Sequence, residues 1–441
     1  MLKRILKKII PHQVFLIYHW LLACLAGFIY GYPSRKMIVI GVTGTSGKST
    51  AVNLIGQILE QAGFKVGLAT TFNFKIGKKE WINKEKMTML GRFALQRLLK
   101  KMSRSGCHYA VIETTSQGVK QYRHLGISYD VGVFTNLAPE HIESHGSFEK
   151  YREAKQNFFQ HLGKRKKKRI GNKLIDKVSV VNLDDENREY FLKFKLDGQY
   201  GYGISFKPKS LNNKQIELIK AELIRLNSNG SEFTVQGVKF TLNLLGKFNV
   251  YNALTAISVG LSQGINLETC KKALMEIKQI PGRMEIIIKE PFMVVVDYAH
   301  TPDSLEKVYK SLKDLNDQAK LICVLGAAGG GRDKWKRPVM GEVAEKYCDE
   351  IIVTNEDPYD EDPEEIVNQI ISGVKNKKAA RIIDRKKAIQ NALETAGKGD
   401  IVVVTGKGCE PWIMGSKGEK IAWDDRKIVK DFLNEEQRGV D

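Results

Sequence analysis

Six cysteines in 441 residues, all far apart, leave little for a metal or a bridge framework to be built from. Cys24, Cys107, Cys270, Cys323, Cys348 and Cys409 include no CxxC pair and no metal-ligand spacing, so no structural zinc site is expected, and scattered single thiols suit a reducing cytosol. The 39 glycines follow no collagen period and no repeat of solenoid length is present, which excludes fibrous and repeat architectures. Acidic residues are outnumbered: 70 Lys plus Arg against 50 Asp plus Glu leave 70 − 50 = +20. Such a surface attracts anions, whether nucleic acid, acidic lipid or phosphorylated small molecules. The densest basic run, Lys164 to Arg169 (KRKKKR), has no aromatic residues interleaved to stack bases. It reads as a solvated connecting loop, and no nucleic-acid partner is expected. With 42% hydrophobic residues the chain is globular, and its length suits two or three domains, each with its own core.

The start differs from the rest. Residues 1–10 (MLKRILKKII) put Leu2, Ile5, Leu6, Ile9 and Ile10 on one helical face and Lys3, Arg4, Lys7 and Lys8 on the other, with Pro11 ending the pattern. Residues 14–32 are apolar and nearly uncharged, interrupted only by His19. Two readings stay open for 1–35: a hairpin packed on the core, covering a sheet surface, or an interfacial anchor making peripheral membrane contact through residues 1–32. From Met37 strand and helix patterns alternate, which predicts an α/β fold with a parallel sheet covered by helices. Residues 199–245 read as an antiparallel meander. A second alternating series follows Pro281-Gly282, giving a helical segment over 1–35, a central domain over 36–281 and a C-terminal Rossmann-like α/β domain over 282–441.

Gly41 to Thr50 reads GVTGTSGKST, after a strand and before a helix, the context of a phosphate-binding loop. Gly44, Thr45, Ser46, Gly47, Ser49 and Thr50 supply backbone N–H groups and hydroxyls, Lys48 reaches toward the β/γ oxygens, and Ser49 is a candidate Mg²⁺ ligand. The strict GxxxxGK[ST] pattern needs glycine at 42, where Val42 stands; Gly41 comes one residue early.

That TGTxGK[ST] variant resembles the Mur ligase and folylpolyglutamate synthase superfamily, and the match runs on in order. It includes Glu113–Gly118 (ETTSQG), Phe134–Gly146 (FTNLAPEHIESHG) with Tyr151 and Lys155, and Leu245–Asn252 (LGKFNVYN). Pro281–Glu285 (PGRME), Val296–Asp303 (VDYAHTPD), Gly330–Gly341 (GGRDKWKRPVMG), Asp384–Ile389 (DRKKAI), Gly406–Glu410 (GKGCE) and Asp424–Arg426 (DDR) follow. The resemblance is to the tripeptide-synthetase branch, ATP-dependent ligases that add the third amino acid of the peptidoglycan stem through an acyl phosphate. It implies ATP and Mg²⁺, with catalytic roles for Lys48, Glu113, His141 and Lys155. Glu113, His141 and Lys155 become metal ligands alongside Ser49, and Lys155 is expected to be carbamylated. Asn249, Asn252, Arg283 and Asp297 are implied nucleotide contacts. Thr114, Thr115, Ser116, Arg332, Asp357, Tyr359 and Glu410 are implied substrate contacts, with Arg123 and His145 matching less closely. The partners implied are a muramyl-dipeptide precursor and a free amino acid, lysine or diaminopimelate. A cytoplasmic monomer is expected, either free of the membrane or docked on its cytoplasmic face through residues 1–32.

On residue chemistry alone, His141 reads as a surface or cap histidine, Lys155 as an exposed lysine and Asp297 as a strand-end turn residue. A P-loop GTPase would need NKxD, which is absent; another amide ligase of the superfamily, or a ligase acting on lipid-linked precursors, is the alternative. Two departures stand out. Only 40 residues precede Gly41, where relatives carry about a hundred that hold the uridine nucleotide, so that domain is expected to be missing. Thr354–Pro363 (TNEDPYDEDP) stands where diaminopimelate-adding relatives have DNPR. Glu356, Asp357, Asp360, Glu361 and Asp362 are expected to crowd this loop with negative charge and to favour a cationic side chain such as lysine. Cys409 also replaces the usual histidine.

Overall fold

The computed structural model describes residues 12–85, 87–207 and 215–439. The amphipathic pattern of residues 1–10 lies outside them.

Two α/β bodies follow one another. The first holds β1 (Ile38–Thr43), β2 (Val66–Ala69), β3 (Asn73–Ile76), β4 (Lys79–Ile82), β5 (Tyr109–Glu113), β6 (Val131–Phe134), β7 (Arg169–Ile170), β8 (Lys173–Leu174), β9 (Val178–Asn182), β10 (Gly198–Gly203), β11 (Glu217–Asn227), β12 (Gly230–Val235) and β13 (Val238–Leu242). Apart from the small β7–β8 hairpin they form one sheet in the order β13-β12-β11-β10-β9-β6-β1-β5-β2-β3-β4. Its middle is parallel, with β1 between β5 and β6. These central strands are buried end to end, which is why they read as unbroken apolar runs. The 199–245 region differs from the expected meander in one respect. β11 to β13 are antiparallel, but β10 runs parallel to both β9 and β11 and so extends the main sheet.

The second body carries β14 (Glu285–Ile288), β15 (Met293–Val296), β16 (Leu321–Leu325), β17 (Glu350–Val353), β18 (Ala379–Arg381) and β19 (Ile401–Val404), in the order β14-β15-β19-β16-β17-β18. Apolar clusters fill both faces of each sheet. Helices Lys336–Tyr347 and Pro363–Ile371 cross at backbone contact: a Cβ on Gly341 would collide with the Ile370 carbonyl, and one on Gly373 with the Pro338 carbonyl.

Cys323 and Cys348 are joined in a disulfide, contrary to the expectation of isolated thiols. Their separation of 25 residues conceals the pairing. The helix after β16 returns the chain to pair β17 beside it, with Ile322 opposite Glu350, and this sets the two Cα atoms 6.0 Å apart.

The start also differs from expectation. His12–Tyr30 is one helix, and it packs along helix Arg92–Arg104 rather than on a sheet surface. Arg92–Arg104 already covers the sheet there with Leu95, Leu98, Leu99 and Met102. No described helix is long and apolar enough to cross a membrane.

Candidate active site

In open parallel sheets, ligand sites form at the carboxyl ends of the strands, where loops diverge and helix N-termini converge. Here the carboxyl ends of both sheets contribute to one cleft. β1 leads into Gly44–Gly47 and then helix Lys48–Gln61. The loop is held by its neighbour after β6: Thr45 N–H donates to the Asn136 carbonyl and Ser46 N–H to Asn136 Oδ1, both at 2.9 Å. A Cβ at Gly44 would strike Thr135 Oγ1, and one at Gly47 would strike Asn252 Oδ1, so both positions need the absence of a side chain. Asn252 in turn donates to Asn249 Oδ1 at 2.9 Å, placing this pair against the loop. Thr50, in the first turn of the helix, is buried.

Lys48 Nζ donates to the Gly44 and Thr45 carbonyls at 3.0 and 2.8 Å. Burial lowers its pKa below the ordinary lysine value, against the opposing pull of Glu113 and Glu140. Ser49 Oγ donates to Glu113 Oε1, and the same carboxylate accepts from Thr71 N–H at 2.8 Å and from Thr71 Oγ1 at 3.1 Å. A hydroxyl and a carboxylate side by side are the hard oxygen donors that Mg²⁺ takes while keeping several waters, so Ser49 and Glu113 fit that ion. Among the described residues no three His, Cys, Asp or Glu side chains converge as a ready-made metal cage.

Lys155 is not an exposed lysine. It is buried in helix Phe148–Lys164 and donates to the Gly44 carbonyl at 2.8 Å. Burial, followed by the charge of Lys48, drives its pKa well below the usual value. His141 occupies the N-cap position of the short helix Ile142–His145 with φ 57°, yet its side chain makes no cap bond. The cap comes from the second body: Asp333 accepts from Ile142 N–H at 3.2 Å and Glu143 N–H at 3.0 Å, and Lys334 N–H donates to Glu143 at 2.9 Å.

Further bonds cross between the two bodies. Arg283 lies over the Tyr298 ring at 4.4 Å and donates to Ser49 Oγ at 3.3 Å. Asp297 accepts from Met284 and Ala299 N–H groups at 2.7 and 2.6 Å, fixing the turn that carries Arg283; burial raises its own pKa. Ser46 Oγ donates to Asp303 at 3.3 Å. Glu140 is the hub of the cleft, 3.8 Å from His141 and 3.6 Å from His300, while Lys336 donates to the His300 carbonyl at 2.9 Å. Burial alone would raise the Glu140 pKa, but His141, His300 and Lys336 together hold it well below the carboxylate range. Glu140, His300, Lys336 and Asp333 were all inside the quoted motifs, yet nothing in their spacing marks them as cleft partners.

Several expected substrate contacts sit differently. Thr114 is fully buried, and its hydroxyl donates to the Tyr129 hydroxyl at 3.2 Å. Thr115 caps helix Ser116–Lys120 by accepting from Gly118 N–H, and Ser116 is buried 3.2 Å from His145 Nε2. Arg123 is bonded to Gln121 and the Met89 carbonyl.

The loop 354–363 is less acidic than its sequence. Asp357 accepts from the buried Lys407 at 2.8 Å and from Met414 N–H, and Lys407 also donates to Glu410 at 2.7 Å. Asp360 accepts from Lys417 N–H, Glu361 from Arg337 and Lys334, and Asp362 caps helix Pro363–Ile371. Four of the five carboxylates are thus already engaged, which corrects the expected crowding of free negative charge. Glu356 is the exception: it is buried, its Oε2 has no partner, and burial raises its pKa. Tyr359, with φ 53°, donates its N–H to the Met414 carbonyl, and Arg332 lies within electrostatic reach of Tyr359, Tyr298, Glu140 and Asp357.

The Mur ligase middle domain model matches residues 42–260, and the Mur ligase glutamate ligase domain model matches residues 282–408. A UDP-N-acetylmuramoyl-L-alanyl-D-glutamate–2,6-diaminopimelate ligase of Bacillus cereus is 37% identical over 93% of this chain and 81% of its own length. The chain belongs to the Mur ligase family. A UDP-N-acetylmuramyl-tripeptide synthetase of Roseiflexus is likewise 37% identical, over 94% of this chain and 82% of its own length. Among solved structures, a UDP-N-acetylmuramoyl-L-alanyl-D-glutamate–2,6-diaminopimelate ligase superposes with a TM-score of 0.59 at 29% identity, over 91% of this chain and 79% of that one. A folylpolyglutamate synthase of Mycobacterium tuberculosis shares the fold at TM-score 0.67 and 16% identity, over 88% of this chain and 92% of that one. Mur ligases form amide bonds at the expense of ATP, and the two matched domains correspond to the two bodies that meet at this cleft.

Proposed function

We propose that this Mur ligase joins the third, diamino residue of the peptidoglycan stem to a UDP-N-acetylmuramoyl-L-alanyl-D-glutamate-type acceptor, using ATP. The observation that carries the reading is the meeting of Lys48, Ser49 and Glu113 with Arg283 across the cleft. One body supplies a phosphate loop, and the other brings a cation to it. The acceptor carboxylate attacks the γ-phosphorus, ADP leaves, and the amine then displaces phosphate from the acyl phosphate. Lys48 and Arg283 offset the charge gathered when two anions approach. Bound Mg²⁺, held by Ser49 and Glu113, would neutralise phosphate oxygens. Closure of the two bodies keeps water from the acyl phosphate until the amine arrives.

Lys155 is read as the site of carbamylation. A lysine whose pKa is pushed down by burial holds the neutral amine that adds to CO₂, and the carboxylate so formed would lie beside the loop as a further metal ligand next to His141. The incoming amino acid is read as lysine-like. A distal ammonium would approach Glu356, whose Oε2 accepts no hydrogen bond, whereas a distal carboxylate would have Arg332, beside Tyr359, as its cation.

Phosphate release is measured with the muramyl dipeptide and, side by side, L-lysine, meso-diaminopimelate and L-ornithine. Turnover dependent on both acceptor and amino acid is expected, with L-lysine preferred. Preference for diaminopimelate overturns the charge argument alone; ATP hydrolysis indifferent to both substrates overturns the ligase reading. Lys48→Ala, Glu113→Ala and His141→Ala are each expected to abolish turnover in folded protein, and Lys155→Ala to be partly rescued by short carboxylates.

A further inference from the structure

Helix His12–Tyr30 is built with its large side chains outward. It contains no Asp, Glu, Lys or Arg. Ala23, Ala26 and Gly27 face the protein, where Gly27 lies under the Tyr32 ring and the Ala23 carbonyl lies against Gly126. The opposite face is a continuous ridge of Val14, Ile17, Tyr18, Leu21, Leu25, Phe28 and Ile29, with Phe28 73% exposed and Ile29 58%. On a helix at 100° per residue these seven fall within one arc of about 120°. An ordinary surface helix shows the reverse arrangement, and one that is apolar all round is normally covered. Seven large side chains each about half exposed amount to several hundred Å², at the upper end of what a soluble monomer shows.

The surroundings are cationic. Arg92 and Lys100 donate to the His19 and Tyr30 carbonyls at 3.1 Å, Arg97 donates to the Tyr30 hydroxyl at 3.3 Å, and Arg35 stacks on Tyr32. Lys101 and Arg104 continue the same helix, Arg92–Arg104. The basic run 164–169 reaches this side too: Arg165 donates to the Leu125 carbonyl, and Lys168 to the Ser34 carbonyl. No acidic residue occurs before Glu60 or between residues 92 and 112.

We propose that this ridge is a seat for an anionic lipid bilayer surface, with the helix lying in the interface plane, its apolar side among the acyl chains and the flanking Arg and Lys at the headgroups. An apolar stripe between cations, with tyrosines and Trp20 at its edges, matches the chemistry of that boundary. A second copy of this chain matches it poorly, because it would bring the same basic rim against this one.

The test is flotation of the full chain with vesicles of phosphatidylcholine alone or mixed with phosphatidylglycerol, at low and high salt, with light scattering in parallel. Binding to the mixed vesicles at low salt is expected, falling at least tenfold on phosphatidylcholine alone, in high salt, in Leu21→Ser/Leu25→Ser/Phe28→Ser, or in Arg97→Glu/Lys101→Glu. Circular dichroism confirms that the variants are folded, and their turnover of soluble substrates is expected to stay unchanged. A chain that remains with the unbound fraction at low salt overturns the proposal. So does binding that survives the ridge triple variant but is lost on removing residues 1–10. A dimer that the ridge variant dissolves, without vesicle binding, reassigns the ridge to self-association and likewise overturns it.

Discussion

Asp333 offers the sharpest perturbation of closure. It is buried, belongs to the second body, and accepts two backbone N–H bonds from the first turn of helix Ile142–His145, whose own N-cap residue supplies none. Hydrogen bonds to a charged acceptor contribute about 1.5–3 kcal/mol each, and two sharing one carboxylate are not additive, so roughly 3 kcal/mol is a fair figure for the pair. About 1.4 kcal/mol is a factor of ten, so Asp333→Ala should shift the closed–open balance by about 100-fold. Asp333→Asn keeps one neutral acceptor and should shift it by about tenfold. Neither change touches a core, so the melting temperature should hold while kcat falls. The separation of dyes on the two bodies, read by energy transfer with and without ATP, should lengthen in the order wild type, Asn, Ala. Wild-type kcat together with an unchanged distance distribution in Asp333→Ala would refute the idea that this cap holds the bodies together.

Lys407→Met should destabilise the C-terminal body by about 3–5 kcal/mol, since it strands the Asp357 and Glu410 carboxylates without their buried cation. Calorimetry should show part of the loss restored when Asp357→Asn is added. A pH effect should arise away from the cleft, at the edge-to-face pair His124 and His161. Burial, then neighbouring His161 and Arg165, pushes His124 down to about 3; burial and Arg165 push His161 down to about 4. Both stay neutral in the folded chain while the unfolded chain takes up protons near 6.5. Stability is therefore full above that pH and declines as pH falls toward 4 and 3, by about 1.4 kcal/mol per histidine per pH unit. Melting curves at pH 7.5, 6.5 and 5.5 should show the drop, and His124→Gln/His161→Gln should flatten it.

The strands of both parallel sheets were legible because doubly covered strands leave continuous apolar runs such as LICVL and IVVV. The phosphate loop was legible because its chemistry is local. What escaped the sequence depends on partners brought together by folding. Lys407 lies 50 residues from Asp357, and Glu140 is 160 from His300, so neither pairing leaves a spacing to read. Thr114 and Thr115 are adjacent and chemically alike. One is buried with its hydroxyl on the Tyr129 hydroxyl and the other caps a helix, a difference set by partners that only folding supplies. The acidic loop misled for the same reason: its charge was visible and its cations were not.

The crossing of helices Lys336–Tyr347 and Pro363–Ile371 bears on how variants of this chain should be interpreted. At Gly341 and Gly373 the space a methyl group would need is taken by the facing Ile370 and Pro338 carbonyls, and the first of these helices opens with Lys336, three residues after Asp333. A side chain at either glycine would wedge the pair apart and tilt the helix start, carrying the cap and the buried lysine off Glu140 and the Ile142 turn. Such an allele would be scored as a loss of catalysis although it lies outside any substrate's reach, and a survey of sequence differences that inspects only the cleft would pass over it.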